Sequence, residues 1–464
     1  MDNDNQTIDR SPITQSTVPG MPVPPAPPAP PKPVVYYVLK NGEQMGPYDM
    51  AQLKDMISRG ELLKDVMVWA DGMPEWKAFS EVAGTTVDVK DLAKNSALKT
   101  KDSALKAVKK MDSLVGSAAG LGTLDGFRWG AFFSAVFKKH TDEEVYEIFN
   151  CGTPFSTPSI RDISTAWPTP WLFTRMLVYG LLLTLLFYVG MTRFANEKMV
   201  PGFIFFAAMA VPFAVFIMFY ELNVRRDVSM YNAIRALLGG GAASLLYALL
   251  INSKLSFLNL EGAWWAGPIE EVAKLYAALF VASFIKLRNS RILTGVLLGC
   301  ATGAGFAIFE TAGYIFNYLI GDLLRGDAPS VGLAIERGVL SPFCHVVWTA
   351  VTVGAFYMVS NLREKENAAK LEWKGIDWKA VADFRFLRIA IIPIILHMTW
   401  NAGAIWGPWI GYSPVIRYAI YAFLGFVAWA VALRLVQGGI HQVRQEKEKY
   451  LKEEEESAEA AEPA

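Results

Sequence analysis

The sequence predicts a mainly α protein, a polytopic helical membrane bundle of about eight transmembrane helices preceded by a small soluble α+β domain. Three observations carry that prediction. The chain of 464 residues is 53% hydrophobic, and its mean hydropathy is positive. From Trp171 onward the apolar residues gather into runs of about 20, the length a helix needs to cross a bilayer. Before them, residues 36–82 show the short alternating pattern of strands joined by turns.

Taken in order, residues 1–34 contain Pro22-Val23-Pro24-Pro25-Ala26-Pro27-Pro28-Ala29-Pro30-Pro31, a composition that favours polyproline II and cannot bury a core. A disordered arm is expected, and with no basic stretch before an apolar one, no cleaved signal peptide. Residues 35–84 read as a folded cytosolic domain: Tyr36 and Val38 alternate as a strand, Gly42 turns, Asp49 to Ser58 is a helix ended by Gly60, and Val66-Met67-Val68-Trp69 is a second strand. Residues 85–170 form a linker with juxtamembrane helices, Lys-rich between Lys90 and Lys110. The aromatic run Phe127 to Phe133, followed by Lys138-Lys139, suits either a helix lying on an anionic lipid surface or one packed beneath the membrane. Residues 171–440 hold the membrane region, and residues 441–464 a charged acidic tail.

The expected spans are roughly 171–192, 201–220, 234–252, 262–285, 292–320, 338–360, 387–407 and 415–436. Gly239-Gly240-Gly241 marks a break in the third. Loops after even-numbered spans carry Arg225-Arg226, then Lys286, Arg288 and Arg291, then Lys365, Lys370, Lys374 and Lys379. Loops after odd-numbered spans carry fewer, among them Lys254, Arg325 and Arg337. The asymmetry places both termini in the cytoplasm. Lysine plus arginine balance aspartate plus glutamate at 44 each, so nothing points to a nucleic-acid partner. Cys151, Cys300 and Cys344 are too scattered for a disulfide framework or a CxxC zinc site and are expected as free thiols.

Chemistry enters through charges that lipid disfavours. Glu270, Glu271 and Lys274 lie within one and a half helical turns of an apolar span, where three such groups oppose insertion by roughly 8 to 10 kcal/mol. At spacings of four and three, the Lys274 ammonium reaches either carboxylate. One glutamate then stays ionised beside it, and the other is poised to take a proton from water. Glu310 follows Phe306 by four residues, His345 precedes Thr349 by four, and His397 precedes Asn401 by four, each pair sharing a helix face. At about 1.5 Å per residue, Glu271, Glu310 and His345 lie roughly 23, 28 and 27 Å from the nearest cytoplasmic basic residues, a common level. His397, roughly 14 Å from Arg388, joins them only if its span begins earlier or is kinked by Pro393. Cys344, about 100° around the helix from His345, is expected to face lipid or core. Glu221 is expected to form an interfacial ion pair with Arg225.

Gly46-Pro47-Tyr48, Val68-Trp69, Gly72-Met73 and Trp76 make residues 35–84 resemble the GYF-like domains fused to bacterial membrane proteins, although the Gly-Tyr-Phe tripeptide is absent. The resemblance implies binding of proline-rich peptides on an aromatic surface; Trp69 and Trp76 are either that surface or core. The ordered set Glu-Glu-x-x-Lys at 270–274, Phe-x-x-x-Glu at 306–310, His345 and His-x-x-x-Asn at 397–401 resembles the PrsW family of intramembrane proteases, relatives of the CAAX prenyl endopeptidases, whose second motif carries His where this chain has Glu310. The resemblance implies a multi-pass protein of the bacterial inner membrane that hydrolyses peptide bonds of membrane-anchored proteins, anti-sigma factors being the substrate class usually named.

On that reading Glu270 or Glu271 is the general base for a water held with the help of His345, while His397 and Asn401 donate to the oxyanion. The same residues also permit a metalloprotease, with Glu310, His345 and His397 as zinc ligands; the lack of HExxH favours a metal-free site. Proton-coupled transport and a non-catalytic scaffold that recruits partners through its cytosolic domain are the competing classes.

Overall fold

The computed structural model describes residues 34–459 apart from 41, 64, 86–88, 259–261, 286–290, 326–330 and 367–375. The proline-rich arm to residue 33, Lys286, Arg288, Lys370, Lys374 and the last five residues of the tail lie outside the described residues. The chain divides into two compact units, Met1–Ala104 and Leu105–Ala464.

In the first unit, β1 (Tyr36–Lys40) and β2 (Glu43–Tyr48) form a hairpin, and α1 (Met50–Ser58) leads to β3 (Met67–Ala70), β4 (Lys77–Ala78) and α2 (Phe79–Thr85). The strands pair antiparallel in the order β2-β1-β3-β4. Strand alternation turns Val38 and its cross-strand partner Val68 into a core with Leu53, Leu62 and Phe79, and turns the pair Tyr37 and Trp69 to the other face, their rings 6.3 Å apart. Trp69 donates its indole N–H to the Met73 carbonyl at 2.8 Å. Trp69 and Trp76 are half-buried and stand outside that core, which favours the aromatic-surface reading of the two. α1 begins with a capping box, Asp49 and Gln52 exchanging bonds, and ends at Gly60 with φ of +74°. β2 escapes the sequence pattern because it is an exposed edge strand containing Gly46 and Pro47, where a missing N–H does no harm.

The second unit contains the end of α3 (Val89–Ala119), α4 (Trp129–Phe132) and α5 (Asp142–Phe149), and then the membrane helices. The aromatic run is packed: Phe127 meets Trp129, Phe132 and Trp167 at 4.9 to 5.4 Å, and Phe132 is buried. The long final helix α16 (Pro414–Glu459) anchors this segment, Arg434 reaching both carboxylate oxygens of Asp112 at 2.8 and 2.7 Å.

Along the membrane region follow α6 (Leu172–Arg193), α7 (Val200–Leu222), α8 (Met230–Arg235), a π-helical turn at Ala236–Gly240, α9 (Gly241–Leu255), α10 (Ala266–Phe284), α11 (Ile292–Arg325), α12 (Gly332–Leu340), α13 (His345–Lys365), α14 (Phe384–Asn401), the single turn α15 (Gly403–Trp406) and α16. Among the described residues, six helical stretches are long and apolar enough to cross a membrane: 172–193, 197–222, 230–258, 292–322, 332–365 and 414–458. The other two expected spans are α10, which carries Glu270, Glu271 and Lys274, and α14, whose start holds Arg385 and Arg388. α11 is the central helix, 94% of its membrane window being buried, whereas the corresponding share for α6 is 11%.

Three expectations are corrected here. Gly239-Gly240-Gly241 does not interrupt the third span; the chain continues helically through the π turn, and a Cβ at Gly241 would sit 2.5 Å from the backbone of Gly305, so the glycines serve a close crossing with α11. The sixth span is not one helix, because Pro342 and the non-helical Cys344 (φ −129°, ψ −126°) separate α12 from α13. Glu221 pairs with backbone instead of Arg225: its carboxylate accepts from the N–H groups of Trp171, Leu172 and Phe173 at 2.8 to 3.0 Å, capping the exposed donors at the start of α6. Arg225 donates to the Pro158 carbonyl.

Candidate active site

Small residues draw the site together. Gly299 and Gly303 on α11 face α13 so closely that a Cβ on either would overlap the carbonyls of Thr349 and His345, and Gly267 leaves room for Met398 between α10 and α14. α10, α11, α13 and α14 therefore meet where α10 and α13 begin and α14 ends. Because α14 starts at Phe384, ahead of Arg388, His397 reaches the common level that spacing alone left doubtful.

At the centre is Lys274, with no exposed surface. Its ammonium lies 2.7 Å from Glu271 Oε1, 3.4 Å from Glu270 Oε2 and 2.9 Å from His345 Nδ1, and 4.2 Å from the centroid of the Phe306 ring. A buried ammonium is tolerable only when compensated in this way. Glu271, 1% exposed, also accepts from His397 Nδ1 at 2.9 Å. His397 Nε2 lies 3.7 Å from Glu270 Oε2, and His345 Nε2 3.2 Å from Glu310 Oε2. The two imidazoles are 4.9 Å apart, both against the fully buried Trp348 at 5.4 and 4.8 Å.

Donor logic assigns the ring protons. An ammonium only donates, so His345 Nδ1 accepts and its Nε2 carries the hydrogen offered to Glu310. The ionised Glu271 only accepts, so His397 holds its proton on Nδ1 and leaves Nε2 facing Glu270. The two adjacent glutamates thereby separate. Glu271 is held on Oε1 by both Lys274 and His397 and is 1% exposed, while the Glu270 side chain, 16% exposed, borders a cavity of about 470 Å³; the Oε2 atom of each is buried without a hydrogen bond among the described residues.

Glu310, His345, His397 and Asn401 line the same cavity. Asn401 gives one N–H to the Ala263 carbonyl at 3.3 Å and keeps a second. The structure thus brings all seven sequence-identified residues to one place. Thr349 does not join them, its hydroxyl being bonded to the backbone of its own helix at His345. Cys344 is buried in the core as expected, and it lines the cavity beside His345 as well, because it precedes α13 and helical geometry does not separate the two.

Sequence reasoning passed over Arg337 and Trp348. Arg337 was counted as a loop charge, yet it pairs with Glu310 inside the cavity; its signal was its place within an apolar run. Trp348 looked like any other apolar core residue.

The metal set expected from sequence is also rearranged. Among the described residues, Glu270, His345 and His397 present ligand atoms within 4.8 Å of one another, while Glu310 is taken up by Arg337 and His345. Among the described residues His397 Nε2 makes no hydrogen bond, and Glu270, whose Oε2 lies 3.4 Å from the Lys274 ammonium, has its second oxygen to give. Both nitrogens of His345 are engaged, by Lys274 and Glu310, so as arranged the set falls one donor short of a three-ligand zinc site.

Residues 228–432 match the model of the PrsW family intramembrane metalloproteases, and residues 36–84 match GYF domain 2. The first match begins after α6 and α7 and contains every residue of the cluster described above. No curated protein and no solved structure matches the chain. Residues 228–432 of the membrane region are thus similar to the PrsW family of intramembrane metalloproteases, and a stretch similar to GYF domain 2 stands ahead of them in the sequence.

Proposed function

We propose that the chain cleaves membrane-anchored proteins with a water activated by Glu270. The carrying observation is the asymmetry of the acidic pair: Glu271 is buried and locked between Lys274 and His397, and the Glu270 side chain, 16% exposed, lines the cavity. In this reading Glu270 removes a proton from water, the hydroxide oxygen attacks the scissile carbonyl carbon, and the developing oxyanion accepts from the remaining N–H of Asn401. The released proton is shared between Glu270 and His397 Nε2, turning that nitrogen into a second donor toward the oxyanion. It then passes to the amide nitrogen as the C–N bond breaks. Glu271 and Lys274 orient the two histidines and touch no substrate.

No step is routed through a metal. Were zinc bound, Glu270, His397 and a released His345 would be its holders, and it would polarise the carbonyl or the water. With the site on helices read as membrane-spanning, the substrate class in this reading is single-span or otherwise anchored proteins, anti-sigma-factor-like by family resemblance. In this reading both termini are cytoplasmic, by the charge asymmetry of the loops, the membrane is a bacterial inner membrane by family resemblance, and the GYF domain binds proline-rich partners.

Cleavage of a single-span reporter by the purified protein in liposomes tests this. Glu270→Gln is expected to lower the rate by roughly 10²- to 10⁴-fold; full activity in Glu270→Gln, Glu271→Gln, Glu310→Gln and His397→Ala removes the reading. Ion or solute flux without cleavage in the same liposomes would transfer the site to a transporter. Activity should survive chelation, and one zinc per chain with loss of activity on its removal would overturn the metal-free mechanism.

A further inference from the structure

Arg337 stands on α12, outside the motifs that define the cluster, and three side chains of α11 hold it. It pairs with the Glu310 carboxylate, donates through Nε to Thr311 Oγ1 at 3.2 Å, and lays its guanidinium carbon 4.2 Å from the centroid of the Tyr314 ring. The Glu310 oxygen that receives Arg337 is the same one that lies 3.2 Å from His345 Nε2. His345 is held from the other side by Lys274 at Nδ1. The imidazole therefore hangs between two anchors, one of which depends on Arg337.

We propose that Arg337 is a positioning residue for the proteolytic reaction: through Glu310 it fixes the His345 ring in the orientation that faces the cavity. The proposal rests on the catalytic reading above. Glu310 follows the apolar run Ala304–Phe309 of α11, and its side chain is only 18% exposed. Stripped of the guanidinium, a carboxylate there loses its directly paired cation and turns toward cavity water, which releases the Nε2–H of His345. A simple staple between α12 and α11 would not need this geometry, since α12 has a separate tie: Glu336 lies 3.3 Å from Arg417 of α16.

The full chain in liposomes, with the single-span reporter, tests the idea through Arg337→Gln, Arg337→Lys, Glu310→Gln and the double variant Glu310→Gln/Arg337→Gln, each checked for its unfolding midpoint. Expected are a kcat lowered roughly 10- to 100-fold in Arg337→Gln with KM little changed, recovery of most of the rate in Arg337→Lys, and a double variant no slower than Glu310→Gln alone. Wild-type kcat in Arg337→Gln, an effect confined to KM, or losses that multiply in the double variant would each overturn it. If Arg337→Gln does not fold, the Arg337→Lys rate against that of Glu310→Gln decides by the same criterion. Failure of the underlying reading is separately visible, as full activity in Glu270→Gln.

Discussion

Lys274→Met is the most demanding perturbation of this architecture. The replacement keeps the length and volume of the stem and deletes only the ammonium, which is wholly buried and holds Glu271 at 2.7 Å, His345 at 2.9 Å and Glu270 at 3.4 Å. Glu270 can turn to the cavity, but Glu271 is 1% exposed and would be left with His397 as its remaining partner. Removing one member of a buried ion pair costs about 3 to 5 kcal/mol. At about 2.1 cal/mol/K of unfolding entropy per residue over the unit Leu105–Ala464, that corresponds to a fall in unfolding midpoint of roughly 4 to 7 °C. Cleavage should be lost as well, since His345 Nδ1 no longer has a donor. The assay is thermal unfolding of the detergent-purified chain beside reporter cleavage. Glu271→Gln, whose amide oxygen still accepts from His397 Nδ1, removes the stranded charge, so Glu271→Gln/Lys274→Met should be more stable than Lys274→Met alone. A Lys274→Met protein that unfolds with the wild type, or a double variant that is less stable still, would refute the account of Lys274 as the compensating charge.

Further outcomes follow from the same geometry. Asn401→Ala should reduce kcat by roughly 10²- to 10³-fold with little change in KM, and a rate near wild type in reporter cleavage would remove Asn401 from the oxyanion site. Glu221→Ala leaves three backbone N–H groups at the start of α6 without their acceptor and should cost about 2 to 3 kcal/mol, read as an earlier unfolding transition that Glu221→Gln partly restores. Gly303→Val drives a side chain into the His345 carbonyl; separation of α11 from α13 should cost about 3 kcal/mol and abolish cleavage, and an active, stable Gly303→Val protein would show that this crossing is not what sets His345 in place.

Much of the bundle was legible because lipid is a severe solvent. Runs of about 20 apolar residues announce spans, and charges inside them stand out against their cost. Helical spacing correctly put Lys274 within reach of both Glu270 and Glu271, as the distances of 3.4 and 2.7 Å bear out. The edge strand β2 was not legible, since an exposed strand with a glycine and a proline carries no alternation. Arg337 was misread as a loop charge because an arginine near the end of an apolar run looks the same whether it meets water or a buried carboxylate. The core position of Cys344 was legible, but its place beside His345 at the cavity was not, because the spacing argument assumes a helix that Pro342 interrupts.

The sequence by itself determined which residue types had to meet: acids, imidazoles and an ammonium that cannot remain singly in hydrocarbon must find one another or water. Only the tertiary structure decided how they share the work. Neighbouring glutamates on one helix are equivalent in spacing but point about 100° apart, so the choice of Glu271 as the buried partner and Glu270 as the cavity-facing acid was made by the approach of α13 and α14. That approach is governed by glycine contacts between helices, and short-range pattern along a chain does not encode which helix will be on the other side.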